Sequence, residues 1–428
     1  MRVRGCTFVV FGAFFCAALV CFLSGARASD CPNKPELAPE LGAWFEENKV
    51  LSKATSLRRS LQSPFPGQTV HYYRVKLVLE QAVPHDWYLT IRDKDLRVLT
   101  VLGPQDFSAS AERWTSRLFS PTLIFDLSET AAQQAPAAPQ LRIKIPEAFA
   151  MPERNKEERS HFSLQDPTRA AYKSLYEFQD NPDVMAHVRS LGDPVGFMTA
   201  IGVKGGQNVS WCCSGVLLTR DLFLTNWHCG APPDTQQEAA YWHHSICGTT
   251  MVDLSWDGDL LSRDYSCAKV EAKSDKLDYA ILRLAPALGS GGGSTARPAT
   301  LSNGQIGGTE GLHIVHHPEC FRKQLSKDCQ VRNAAFPNWK GPAAGETANR
   351  EFSHDCDTEG GSSGSPIFNA KGHLVGIHHL GFSVDPRTCQ PADKENKAVR
   401  LEEILHDVKS QNAQLFQEIK AKGIFAGE

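Results

Sequence analysis

Past Ala28, no stretch of this 428-residue sequence approaches the roughly 18 consecutive apolar residues that a membrane-spanning helix needs. It has no CxxC pair, which removes the common signature of a structural zinc site. It has no basic run, and its formal charge is -3 at pH 7. Nucleic acid and anionic membranes are therefore not expected partners. Internal repeats are missing. So is the regular strand–helix alternation that marks a parallel α/β sheet.

What is present starts with a targeting segment. Arg2 and Arg4 precede an apolar run from Phe8 to Leu23, and Ala26-Arg27-Ala28 has the small-x-small form of a cleavage site. Residues 1–28 are predicted to be a signal peptide, leaving a secreted (extracellular or periplasmic) protein with no stable membrane insertion. Losing Arg2, Arg4 and Arg27, with no acidic residue in that segment, moves the formal charge from -3 to -6. Three of the 13 cysteines leave with the signal segment. The other ten are Cys31, Cys212, Cys213, Cys229, Cys247, Cys267, Cys320, Cys329, Cys356 and Cys389. An even number in an exported chain points to disulfides. Nine of the ten follow residue 200, which predicts a stapled C-terminal part and a plainer N-terminal one.

The N-terminal part alternates apolar and polar residues with period two, as in Val75–Glu80 and Leu141–Ile145. Trp87–Ile91, Val98–Leu102 and Leu123–Leu127 add strand-like composition. A β-sandwich is expected over 29–150, with a charged linker over 151–190. From 191 to 412, short apolar runs broken by Gly, Pro and Asn suit buried strands: Ser214–Thr219, Leu222–Thr225, Ala280–Leu284, Leu312–Val315, Pro366–Phe368 and Leu374–Ile377. Val399, Ile404, Leu405, Val408 and Leu415 predict one amphipathic terminal helix, with residues 413–428 as C-terminal helix and tail.

The stretch Glu359-Gly360-Gly361-Ser362-Ser363-Gly364-Ser365-Pro366 is dense in residues that permit tight turns. Read as a surface loop it says nothing. Read as a nucleophile on a turn, it needs a base and a carboxylate to orient that base. Upstream, His228 follows the apolar run Leu222–Thr225, and Asp278 precedes Tyr279–Leu284.

Taken together, three segments resemble the catalytic blocks of trypsin-like serine peptidases, most closely the bacterial lysyl and glutamyl endopeptidase branch. They are Thr225-Asn226-Trp227-His228-Cys229, Asp278-Tyr279-Ala280-Ile281-Leu282-Arg283-Leu284 and Gly361-Ser362-Ser363-Gly364-Ser365-Pro366. The resemblance covers roughly residues 190–410. It implies an all-β fold of two antiparallel six-stranded barrels with a C-terminal helix, preceded by the small sandwich. It implies catalytic His228, Asp278 and Ser363, and an oxyanion hole from the N–H groups of Gly361 and Ser363. It implies protein or peptide substrates and no cofactor.

The resemblance also bears on the primary pocket, with mixed signals. Asp357 stands where trypsins keep the acid that binds a basic side chain. Thr358 and His378 match positions that glutamyl endopeptidases use to hold an acidic one. Ser362 replaces the Asp that animal trypsins pair with a freed N-terminus, so latency would need another device, such as occlusion by the N-terminal domain, a possible pro-region. The pairing implied across the histidine loop is Cys213–Cys229, with Cys356–Cys389 framing the pocket. Cys247–Cys267 and Cys320–Cys329 are pairings by proximity, and Cys31–Cys212 is the remainder.

Other readings stay open. Gly360–Gly364 also fits G-x-S-x-G centred on Ser362, as in an α/β-hydrolase esterase. A catalytically inactive relative used for binding would keep the fold without an activated serine. The doubled histidines His243-His244, His316-His317 and His378-His379 do not predict a metal, because neighbours on a strand face opposite ways.

Overall fold

The strand Tyr279–Pro286 is apolar on both faces, and the two faces fill different cores. Ala280, Leu282 and Leu284 join Phe223, Val252 and Tyr265 in one cluster. Tyr279 and Ile281 join Val315, Phe368 and Ile377 in another. Successive strand side chains point opposite ways, so a strand covered on both sides reads as an unbroken apolar run.

In the computed structural model such strands form two closed barrels. It describes residues 43–52, 69–108, 110–129, 140–152, 173–174, 190–232, 235–257, 263–290, 296–336, 350–381 and 395–427. The expected signal peptide, most of the expected linker, Cys31 and Cys389 lie outside these residues. The first barrel runs Gln207–Leu217, Leu222–Thr225, Tyr279–Pro286, Asp264–Ser274, Met251–Asp253, Val195–Lys204, every pair antiparallel. The second runs Pro366–Asn369, Gly311–His316, Gln324–Phe336, Glu351–His354, Asn396–Arg400, Leu374–Leu380, and closes as Leu374–Leu380 pairs back onto Pro366–Asn369. The larger apolar cluster, including Leu224, Tyr279, Phe368 and Ile377, lies between the two.

The C-terminal part departs from the expected single helix. Val399 is in the strand Asn396–Arg400, and two helices follow, Leu401–Gln411 and Ala413–Lys422. Asn412 leaves helical geometry at φ -148° and caps the second helix by accepting from the Leu415 N–H at 3.0 Å. The tail is not peripheral. Ile404, Val408, Leu415 and Ile419 enter the inter-barrel cluster, and Ile424–Phe425 pairs with Thr300–Leu301.

The disulfides also correct the expectation. Cys213–Cys229 and Cys247–Cys267 are joined. Cys212, however, bonds Cys320 rather than Cys31. Alternation is the reason: Cys213 points into the first barrel's core and its neighbour Cys212 points out, toward the second barrel. Cys329 bonds Cys356, displacing both Cys320–Cys329 and Cys356–Cys389. The antiparallel register that sets Val331 opposite His354 continues to set residue 329 opposite residue 356.

The N-terminal part is a sandwich. A four-stranded sheet (Ala43–Leu51, Arg142–Pro152, Val70–Gln81, Glu112–Trp114) faces a three-stranded one (Val98–Leu102, Trp87–Arg92, Ile124–Glu129). Tyr73, Val75 and Leu77 meet Trp87, Leu89 and Ile91 between them. The sandwich is welded to the first barrel. Leu288 N–H donates to Trp114 C=O at 2.9 Å, and Tyr72, Trp114 and Phe149 share a core with Phe197, Met251 and Cys212. Charges are buried there too. Arg74 pairs with Asp264 at 2.9 Å, while Arg117 reaches Asp253 at 2.9 Å and Asp264 at 3.1 Å. All four side chains are at most 2% exposed.

Burial pushes Asp253 up to about 6, outweighing the lowering effect of Arg117. An acid raised in the folded state takes up protons on folding, so its contribution is present at low pH and lost as pH rises through about 6. Arg117→Met is therefore expected to destabilise the protein by about 3–5 kcal/mol at pH 7. The loss should be smaller at pH 5, where Asp253 can take a proton. Urea unfolding at the two pH values measures both; equal losses would contradict the account.

Candidate active site

Pairing between Leu222–Thr225 and Tyr279–Pro286 sets Thr225 opposite Ala280, so the residues just beyond each strand meet. His228 opens a short 3-10 turn there, and Asp278 takes up the left-handed backbone at φ 46°. The wholly buried Asn226 holds that backbone, its Nδ2 donating to Asp278 C=O at 2.8 Å. Asp278 Oδ1 accepts the His228 backbone N–H at 2.9 Å, and Oδ2 faces His228 Nδ1 at 2.8 Å. A carboxylate only accepts, so His228 presents its Nδ1–H to Asp278 and turns Nε2 outward. The imidazole is 34% exposed and the carboxylate 1%. Burial alone would raise Asp278. The charge and hydrogen bond of His228, joined by those of His379, instead hold it well below the usual carboxylate range.

The glycine–serine stretch is a tight turn hung from the first barrel. Ser214 N–H donates to Ser363 C=O at 2.8 Å, and Ser214 Oγ–H donates to Gly361 C=O at 2.9 Å. Gly361 sits at φ +96°. A Cβ there would come within 2.6 Å of His317 C=O and 2.9 Å of Cys212 Sγ. Gly364, at φ +84°, would meet Ser214 C=O at 2.3 Å. Gly360 has open space. Among the described residues, the N–H groups of Gly361 and Ser363 donate to no protein acceptor, leaving an adjacent pair of donors.

The two serines differ sharply. Ser362 is buried, with its Oγ 2.8 Å from His316 Nδ1 and accepting from the Glu359 N–H at 3.1 Å. Ser363 is half-buried, and its hydroxyl is engaged by no other described residue. Two barrels in place of a strand–helix alternation, with Ser362 committed to the scaffold, remove the α/β-hydrolase reading.

The pocket residues are partly assembled. Asp357 is half-buried and its carbonyl accepts from Ser326 Oγ–H at 2.7 Å. Thr358 follows it, buried. His378 is buried on Leu374–Leu380 with Nδ1 3.3 Å from His354 Nε2, and burial drives it well below its ordinary range, which keeps it neutral. Cys213, Cys229 and His228 bring ligand-type atoms within 4.8 Å of one another, but the two sulfurs are bonded together and offer no thiolate.

Three contributors escape sequence reading. Ser214 shows no local sign of its role, and His316 shows only as one of a doubled pair. His379 is visible in the doubled histidine, yet nothing local tells which of the two turns toward Asp278. Two turn positions should separate under mutation. Gly361→Ala is expected to lose at least about 2 kcal/mol of stability together with most activity, and Gly360→Ala less than about 0.5 kcal/mol. Thermal melts and kcat/KM of both variants test this.

Comparison with known proteins bears on the same region. No curated protein is matched significantly. The Rv3671c protease of M. tuberculosis is similar in its active form at 14% identity and TM-score 0.37, over 52% of this chain and 82% of that one. Its inactive form is similar at 14% identity and TM-score 0.36, over 53% and 92%. At those scores neither likeness bears weight. Residues 213–377 match the family model of the trypsin-like peptidase domain, and the two closed barrels agree with it. The likeness to the trypsin-like peptidase domain is confined to residues 213–377.

Proposed function

We propose that the chain is an exported endopeptidase in which Ser363 is the nucleophile, His228 its base and Asp278 the orienting carboxylate. One observation carries the assignment: histidine and serine hang from two successive residues of one strand. Cys213 is bonded to Cys229, next to His228, and Ser214 holds the Ser363 carbonyl. In acylation the Ser363 Oγ–H proton passes to His228 Nε2 as Oγ attacks the peptide carbonyl. The tetrahedral oxyanion is received by the N–H groups of Gly361 and Ser363, worth about 3 kcal/mol per donor. His228 then protonates the leaving amine, and water repeats the sequence on the acyl-enzyme. Asp278, buried and ionised, stabilises the imidazolium without taking its proton.

The lysyl or glutamyl character belongs to this proposal as well. Asp357 offers a carboxylate to a basic P1 side chain, whereas Thr358 and His378 offer a hydroxyl and a neutral imidazole to an acidic one. Cleavage of matched peptides with Lys, Arg or Glu at P1 distinguishes them. Export is supported by the N-terminal segment and by four disulfides among the described residues.

Ser363→Ala is expected to lower kcat by about 10⁴- to 10⁶-fold while the fold persists. A fluorophosphonate should label the Ser363 peptide in the wild type and in Ser362→Ala, and nothing in Ser363→Ala. An unlabelled wild type would instead favour an inactive binding protein.

A further inference from the structure

The triad leaves a buried imidazole and a buried carboxylate without a task. His379, on Leu374–Leu380, is wholly enclosed. Its Nδ1 lies 3.3 Å from Asp278 Oδ2, the oxygen that faces His228. Its Nε2 lies 3.3 Å from Glu351 Oε2, at ion-pair distance across the ring, although the two atoms make no hydrogen bond. Glu351, on Glu351–His354, is itself buried. The row therefore runs imidazole, carboxylate, imidazole, carboxylate.

A neutral imidazole has one N–H and one lone pair; an imidazolium has two N–H groups. Between two carboxylates the imidazolium is the favoured form, because a neutral ring turns a lone pair toward one of them. Burial would lower His379, but its hydrogen bond to Asp278 and the charges of Asp278 and Glu351 raise it to about 9. The other titratable groups around it are His354 on the Glu351 strand, His378 beside it, and His228 beyond Asp278. Burial pushes His354 down to about 3 and His378 well below its range, so neither competes as a cation at neutral pH.

We propose that Glu351 and His379 form a positioning unit for Asp278: the imidazolium grips Oδ2 and keeps that carboxylate ionised and aimed at His228, while Glu351 keeps the imidazolium charged. This rests on the peptidase reading. A histidine raised in the folded state contributes stability that is full below about 6.5 and lost as pH rises through about 9. When His379 gives its proton to solvent, one carboxylate faces a lone pair and the row loosens. Glu351→Gln removes that need. The amide donates to Nε2, and a neutral His379 keeps its Nδ1–H toward Asp278.

The test is the pH profile, from 6 to 10.5, of fluorophosphonate labelling at Ser363 and of peptide kcat/KM. In the wild type both should fall about tenfold per pH unit above about 9. In Glu351→Gln the fall should vanish. His379→Leu should lose about 10- to 100-fold in kcat, and His379→Gln, which donates without charge, should recover part of it with no alkaline fall. The same alkaline fall in Glu351→Gln as in the wild type, or wild-type kcat in His379→Leu, overturns the proposal. If His379→Leu fails to fold, the Glu351→Gln profile decides. A wild type that is never labelled refutes the peptidase reading and the positioning role with it; labelling with superimposable profiles refutes the positioning role alone.

Discussion

Three consecutive residues, Cys212, Cys213 and Ser214, hold the two barrels in register, because a strand must send neighbouring side chains to opposite faces. Cys213 turns inward and fixes the loop that bears His228. Cys212 turns outward and ties the first barrel to the second through Cys320. Ser214 fastens the serine turn with its N–H and its hydroxyl, and its hydroxyl also accepts the His317 N–H at 3.0 Å. The geometry of the candidate site is thus set by backbone direction at one place, and the loops around it inherit their positions.

The electrostatics follow from burial. A carboxylate as enclosed as Asp278 would be neutral without strong donors, and the structure surrounds it with a backbone N–H and two imidazoles. The same logic governs the contact between sandwich and first barrel, where two arginines neutralise two aspartates. Both clusters exist only in the assembled chain. Each joins groups from distant parts of the sequence, so neither can form until its barrel or domain contact has closed.

That distance explains what could be read from the sequence. Leu222–Thr225 is a strand with the bounds that its composition predicts, because three apolar residues and a β-branched threonine between polar ones carry the information locally. Gly361 is marked by its own backbone requirement. Ala43–Leu51 and Glu112–Trp114 are too polar or too short to show a period in the sequence. Disulfide partners depend on register between strands, so Cys329 could not reveal Cys356. Asn412 is one polar residue in an amphipathic pattern, and only its capping bond shows that the helix ends there. Ser214 acts on Gly361 and Glu351 on His379, each across a contact between separate segments, which no local pattern encodes.

The wedge of Leu415, Ile419 and Phe425 into the apolar layer between the barrels has a consequence for biosynthesis. A nascent chain that has emerged only as far as the serine turn still lacks the side chains that seal the seam, so its two halves have no finished surface to close on. Closure of the two barrels on each other is thereby deferred until those late segments arrive.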